Sequence, residues 1–262
     1  MRTAQLWALP RLSLRFVHVW RRNVLVWRKL AIPSMLGNLA DPMLYMLGFG
    51  YGLGRMLPDT FGMSYIAFLA AGTVCSSTMM SASFEAMYSG FSRMHVQRTW
   101  DAIMNAPVTL DDVIVGEAVW AASKSLLSGI AVLVVATGLG LVESWLALWV
   151  LPVVFLTGIA FAGLGLVMTA LSPSYDFFMY YFTLFITPMM LMCGVFFPLD
   201  QLPPALQHAA ALLPLTHAVA LVRPLMNDAV PPNLLGHLSV LVLYTVAGFY
   251  LALALTRRRL LQ

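Results

Sequence analysis

Ionisable side chains inside apolar runs are the residues of this chain best placed to do chemistry, because a charge kept away from water is costly unless it has a task or a partner. Asp41 stands before Pro42 in the first apolar run, Glu85 lies late in the second, Glu117 and Lys124 lie in the third, and Asp176 opens the fifth. A carboxylate beside a helix-breaking proline polarises a kink, so Asp41 is a candidate for a substrate pathway or for a structural bend. Glu85, Glu117 and Asp176 each fall near an expected cytoplasmic boundary and read as boundary residues. Glu117 and Lys124 are about two helical turns apart, too far for a direct intrahelical pair, so Lys124 either pairs with another span or snorkels. A proton-coupled carrier would gather several acids at mid-depth, whereas these scatter toward one face.

Spacings that mark enzymes are missing. The sequence has no GxxxxGK[ST] to cradle nucleotide phosphates, no HExxH for zinc and no GxSxG nucleophile elbow. Leu127-Ser128-Gly129 is faintly like part of an ATPase signature, but it sits in an apolar span and reads as packing. Cys75 and Cys193 also lie in apolar runs, without a CxxC or a His pairing, and read as packing residues. No catalytic residue, metal site or cofactor is expected in this chain. The net charge of +4 does not point to nucleic acid, because the basic residues sit beside membrane spans, where headgroups and topology account for them.

The elements that position these residues follow from composition. The chain is 60% hydrophobic and 10% charged, with a mean hydropathy of +0.83, outside the range of soluble domains. Long unbroken apolar runs rather than short alternating ones indicate an all-α polytopic membrane protein, not a β-barrel. Residues 1–30 read as one amphipathic interfacial helix, with Leu6, Leu9, Leu12, Phe16, Val19, Trp20, Trp27 and Leu30 on an apolar face that Asn23 interrupts. Its basic residues, Arg2, Arg11, Arg15, Arg21, Arg22, Arg28 and Lys29, are spread throughout, unlike the short basic start of a signal peptide. The domain division is therefore 1–32 for this helix and 33–262 for six spans, at about 33–54, 63–90, 113–138, 145–171, 176–197 and 233–256. With Arg93, Arg98 and Arg257 to Arg259, twelve basic residues fall on one side against Arg55 and Arg223 on the other. The positive-inside rule then makes both termini and the 91–112 loop cytoplasmic.

Two connecting segments stand out. Thr99 is read as the N-cap of a short helix in which Trp100, Ile103, Met104 and Val108 form an apolar stripe, with Asp101 among them and Pro107 as the stop. Thr109 to Asp112 can cap the next helix. Such a helix either rests on the bilayer or docks in a groove of a soluble partner. Between Gly194 and Pro224 the chain is as apolar as a span, yet Pro198, Pro203, Pro204 and Pro214 forbid one continuous helix. Irregular backbone at membrane depth persists only where protein or a water-filled cavity covers it, which suggests a gate or a pathway. In the fifth span the aromatic and Met positions, among them Tyr181, Phe185 and Met189, are pathway candidates, with lipid-facing or core packing as the alternative.

Together these features resemble the permease subunits of type 2 ABC exporters, most closely the NodJ group, across nearly the whole chain. Thr99 to Val108 fits that family's cytoplasmic coupling segment, T-x-[DE]-x-[IL] ending in Ala/Thr-Pro-Val. Gly194-Val195-Phe196-Phe197-Pro198-Leu199-Asp200-Gln201-Leu202-Pro203-Pro204, then Leu213 to His217 and Arg223, fits the pattern between its last two spans. The resemblance implies a coupling helix at about 98–108 with contacts through Thr99, Trp100, Asp101, Ile103, Met104 and Pro107. It implies re-entrant helices at the outer mouth, about 198–232, with Phe196, Phe197, Pro198, Leu202, Pro203, Pro214, His217 and Arg223 as gate residues. It also implies a bacterial inner-membrane location and a transporter of two permeases with two NodI-like ATPase subunits, which bind the ATP and Mg. The substrate it implies is an amphiphilic lipo-oligosaccharide or glycolipid. Drug and polysaccharide exporters share the architecture, and an ATP-independent carrier or lipid-binding scaffold is the rival from another class.

Overall fold

The computed structural model describes residues 7–54, 56, 63–142 and 144–260, and these form an all-helical bundle without a β-sheet. Arg2, Leu6 and Arg55 lie outside the described residues. Helix α1 (Phe16–Trp27) passes through a 3-10 turn at Arg28–Leu30 into α2 (Ala31–Gly52), which contains Pro42. Then come α3 (Tyr65–Val96), the short α4 (Thr99–Met104), α5 (Leu110–Gly138), α6 (Trp145–Leu171), α7 (Phe177–Met192), α8 (Pro204–Ala211), α9 (Pro214–Met226) and α10 (Leu234–Leu260).

Four of these, α3, α5, α6 and α10, are long and apolar enough to cross a membrane. The other two expected spans are helical but fall short by that measure. α2 has 22 residues, but Asn38, Asp41 and four glycines dilute its apolarity. α7 covers only about 24 Å at 1.5 Å per residue, less than a hydrocarbon core of about 30 Å.

The amphipathic helix expected over 1–30 is shorter. Residues 7–15 are not helical, because Pro10 disfavours a helical Leu9 and α5 supplies other partners for the backbone. The Arg11 amide donates to Asp111 at 2.8 Å, Ser13 Oγ to Asp112 at 2.6 Å and Arg15 Nη1 to the Pro107 carbonyl at 2.6 Å. The apolar face of α1 packs on α5 rather than lying wholly on lipid. Val19 is buried against Gly116, where a Cβ would come within 2.6 Å of the valine, so only glycine permits that approach.

Small residues set the interior. α3, rich in Ser, Ala and Gly, lies at the centre against α2, α5, α6 and α9, and α6 packs on α10 where Gly163 and Gly248 bring the two backbones together. With little hydrophobic drive between helices in lipid, this close van der Waals approach is what holds spans together.

Two of the prolines between α7 and α10 act as helix starters, while Pro224 lies inside α9. Pro204 and Pro214 occupy the first positions of α8 and α9, where the missing N–H costs nothing, and the two helices meet at 87°. Gly194, at φ +75°, makes the turn out of α7 that an L side chain would strain. α9 is then buried on the α3, α6 and α10 side through Leu215, Ala218, Leu221, Val222 and Met226.

Candidate functional site

At the end of the bundle that carries α1 and α4, Glu85, Glu117 and Lys124 meet, while Asp41 and Asp176 are exposed and stand apart from them. Glu117, Trp120 and Lys124 share a face of α5 and point at Glu85 and Arg93, which lie in two π-helical turns of α3. Such turns rotate side chains out of the ordinary helical register and are frequent at functional sites. Arg93 Nη1 donates to Glu85 Oε1 at 3.0 Å, its Nε reaches both Glu117 oxygens at 3.0 Å, and its Nη2 also binds Glu117. Lys124 Nζ lies 2.8 Å from Glu85 Oε2, and Trp120 Nε1 donates to Glu85 Oε1 at 2.7 Å. Two carboxylates and two cations make a neutral set, which is what allows Glu85 and Glu117 to be buried beside the partly buried Arg93 and Lys124.

This network reaches two further helices. Asn23 of α1, the polar interruption of its apolar face, donates to Glu117 at 3.2 Å, and Trp100 of α4 donates to the same Oε1 at 3.1 Å. Arg22 Nη1 donates to Asn23 Oδ1 at 2.9 Å, and burial followed by the nearby Arg93 charge lowers the Arg22 pKa from its ordinary value. Reading Glu85 and Glu117 as boundary residues is thus corrected: they are the acceptors on which four helices converge.

The 99–107 segment sits with its apolar stripe inward. Trp100 is fully buried, while Ile103, Met104 and Val108 pack partly against the core. Asp101, Ala102, Asn105 and Pro107 are exposed. Thr99 is not the N-cap: that position is Arg98, in a left-handed conformation at φ 48°, and the Thr99 hydroxyl donates to Gln97 instead. The next helix is capped as expected, by a reciprocal box between Thr109 and Asp112.

Above the network, three chambers follow one another along α3. The inner one, about 640 Å³, is lined by Arg22, Arg93 and Lys124 and meets the middle one at Phe84. The middle chamber, about 310 Å³, contains Asp41, Asn38 and several serines. It shares Tyr45, Met80 and Met190 with an aromatic outer chamber of about 610 Å³. Phe196, Phe197 and Pro198 line the outer chamber, as does Tyr65, whose hydroxyl donates to the Phe196 carbonyl at 2.9 Å. On α7 the lining residues are Phe182, Ile186, Thr187, Met190 and Leu191; Tyr181 and Met189 are buried elsewhere, and Phe185 is exposed.

The remaining residues of the outer segment make internal contacts. Arg223 Nη2 holds the Gly194 carbonyl and its guanidinium lies 3.6 Å from the Phe68 ring centroid. His217 Nε2 lies 2.9 Å from the Ala211 carbonyl, which fixes the proton there and leaves Nδ1 to accept from His237 Nδ1 at 2.8 Å. The Leu202 carbonyl accepts from Gln207, Pro203 is exposed ahead of α8, and Pro214 is buried at the start of α9.

Comparison with known proteins shows the family. A family model described as ABC-2 type transporter matches residues 15–227. Nodulation protein J of Rhizobium leguminosarum bv. viciae is 50% identical over 255 residues, covering 97% of this chain and 98% of that protein. Nodulation protein J of Rhizobium meliloti (strain 1021) is 48% identical over 254 residues, 97% of each chain. The inner membrane transport permease YadH of Escherichia coli (strain K12) is 25% identical over 242 residues, 92% of this chain and 93% of that one. A helical membrane bundle with these relatives, matched over most of its length, belongs to the ABC-2 type transporter family and is a membrane subunit for transport.

Proposed function

We propose that the chain is the permease of an ABC exporter that moves an amphiphilic lipo-oligosaccharide or glycolipid-like substrate outward across a bacterial inner membrane. Two copies form the pathway, and two NodI-like subunits bind and hydrolyse ATP with Mg. The carrying observation is the Trp100–Glu117–Arg93–Glu85 network. It makes α4 a stiff extension of α3 and α5 and ties both to α1, so a displacement applied at the exposed face of α4 is delivered to the spans as a rigid-body movement.

In this reading ATPase contacts fall on Asp101, Asn105 and Pro107, while Trp100, Ile103 and Met104 transmit. The chain crosses the membrane six times, with α2 and α7 as the two less apolar or shorter spans. The arginine-rich end, which gathers residues 7–15, α4 and the end of α10, is cytoplasmic, and α8 and α9 form the outer re-entrant segment. Exposed apolar side chains on α2 and α7, among them Leu36, Leu44, Tyr180 and Phe185, are then covered by the second copy and lipid.

Copurification tests this. Expressed with its neighbouring genes and solubilised mildly, a tagged chain should retain an ATPase subunit, and Asp101→Arg with Asn105→Arg should release it without loss of folded permease. A chain that never retains an ATPase would leave the ATP-independent carrier in its place.

A further inference from the structure

We propose that the middle and outer chambers are one binding site, in which Asp41, Ser81 and the Ser77–Ser128 pair hold the hydroxylated head of an amphiphile while its alkyl chain lies against the aromatic outer wall.

The chambers are continuous in their walls, since Tyr45, Met80 and Met190 belong to both, yet they differ in chemistry. The outer one presents Phe49, Phe182, Phe196 and Phe197 and has the size of an ordinary ligand cleft. The middle one presents a carboxylate, the Asn38 amide and the hydroxyls of Ser76, Ser77, Ser81 and Ser128. Ser77 and Ser128 share one hydrogen bond at 2.7 Å, so each keeps further lone pairs for a ligand. Ser81 is 6% exposed, and its Oγ has no hydrogen-bond partner.

That orphan is informative. A buried hydroxyl without a partner forgoes a stabilising bond, and native structures seldom leave one. Its neighbours Ser76 and Thr78 each return their hydroxyls to their own helix, to the carbonyls of Thr73 and Val74. Ser81 does not, although it lines the same chamber. Asp41, by contrast, is exposed where it lines the chamber and has no ion pair or hydrogen bond among the described residues, so its carboxylate is open to a ligand. A ligand that supplies several donors and acceptors together meets both groups.

A polyhydroxylated head matches this set better than a quaternary ammonium would. Ammonium needs only the carboxylate and would leave Ser81 unpaired, whereas adjacent hydroxyls donate to Asp41 and exchange bonds with Ser81 and the Ser77–Ser128 pair. The location is also meaningful. Ser76 to Ser81 lie midway along α3, so the site holds an amphiphile whose polar part is still at mid-helix while its chain has reached the outer half.

This assignment rests on the exporter reading, but its test needs no ATPase. The full chain is placed in lipid discs washed free of detergent, and binding of dodecyl maltoside carrying a photoreactive group at its tail is measured by crosslinking and peptide mapping. Labelling is expected at the outer wall, on Phe49, Phe182 or Phe196. Asp41→Asn and Ser81→Ala should each weaken binding about fivefold to tenfold, as loss of one buried hydrogen bond implies. Met80→Trp, which fills the junction, should abolish it. Dodecanol should compete weakly, and equally in wild type and both polar variants.

Unchanged binding in both polar variants, labelling confined to other helices, or stronger competition by dodecyltrimethylammonium than by unlabelled dodecyl maltoside would overturn the proposal. Any of these with an ATPase still retained sinks the chamber assignment alone. Loss of the ATPase with binding intact sinks the exporter reading instead.

Discussion

The indole nitrogen of Trp100 and the carboxylate of Glu117 are joined by a buried 3.1 Å hydrogen bond, and through it the short helix between α3 and α5 is fastened to the charged centre of the bundle. The bond gives Trp100 an internal role, distinct from the exposed residues beside it.

Trp100→Phe therefore keeps the ring and removes only the donor. It is expected to lower stability by about 1–3 kcal/mol, because a buried charged acceptor loses a partner, and to reduce substrate-coupled ATPase stimulation. Trp100→Asp puts a second carboxylate beside Glu117 and should abolish recovery of folded protein. Thermal unfolding in mild detergent separates these from Asp101→Arg, which should leave the unfolding midpoint unchanged.

Lys124 and Glu85 form the arm of the network most open to a double-mutant cycle. Glu85→Gln or Lys124→Met alone leaves an uncompensated buried charge and should cost about 3–5 kcal/mol. The pair together retains Arg93 with Glu117 as a neutral couple, so it should recover a large part of that loss. Additive single effects in denaturation would show that the two residues act separately.

Gly163 and Gly248 give a steric prediction. A Cβ on Gly163 would lie 3.1 Å from backbone atoms of Gly248 and Phe249, and backbone cannot rotate aside as a side chain can. Gly163→Ala should cost about 1–3 kcal/mol by overpacking, and Gly163→Leu should separate α6 from α10. Disulfide trapping between cysteines placed on the two helices reads the separation directly.

His217 and His237 link α9 to α10 through a hydrogen bond between their Nδ1 atoms. Replacing either by Ala should weaken the contact, with a coupling energy near about 1 kcal/mol in the cycle of single and double variants. Independent effects in the cycle would mean that the ring–ring bond does not form.

Much of the helical framework was legible in composition and periodicity, whereas the non-helical course of residues 7–15 and the inward turn of the charges were not. Asn23 already stood out as a polar break in an apolar face, but its reason lay 94 positions away on Glu117. Arg93 counts as a topology charge in a linear reading, yet its side chain turns inward to two carboxylates, one of them on another helix. Periodicity identifies Trp100, Ile103 and Met104 as one face without saying whether that face meets a partner or its own bundle. On α7, the π-turn at Phe182–Ile186 leaves Phe182, Ile186 and Met190 facing the cavity, while Phe185 faces outward. The prolines showed where one span could not form; only packing shows that two of them begin helices.

One contact joins residues far apart in the chain at a single acid. Arg257 binds both oxygens of Asp111 across 146 positions and also holds the Ala8 carbonyl at 2.6 Å. During synthesis Asp111 leaves the ribosome long before Arg257 exists, and by then the segment at residues 7–15 already has partners in Asp111, Asp112 and Pro107. Arg257 arrives later and locks a seam that is already set, so α10 docks onto a prepared acid instead of having to organise one.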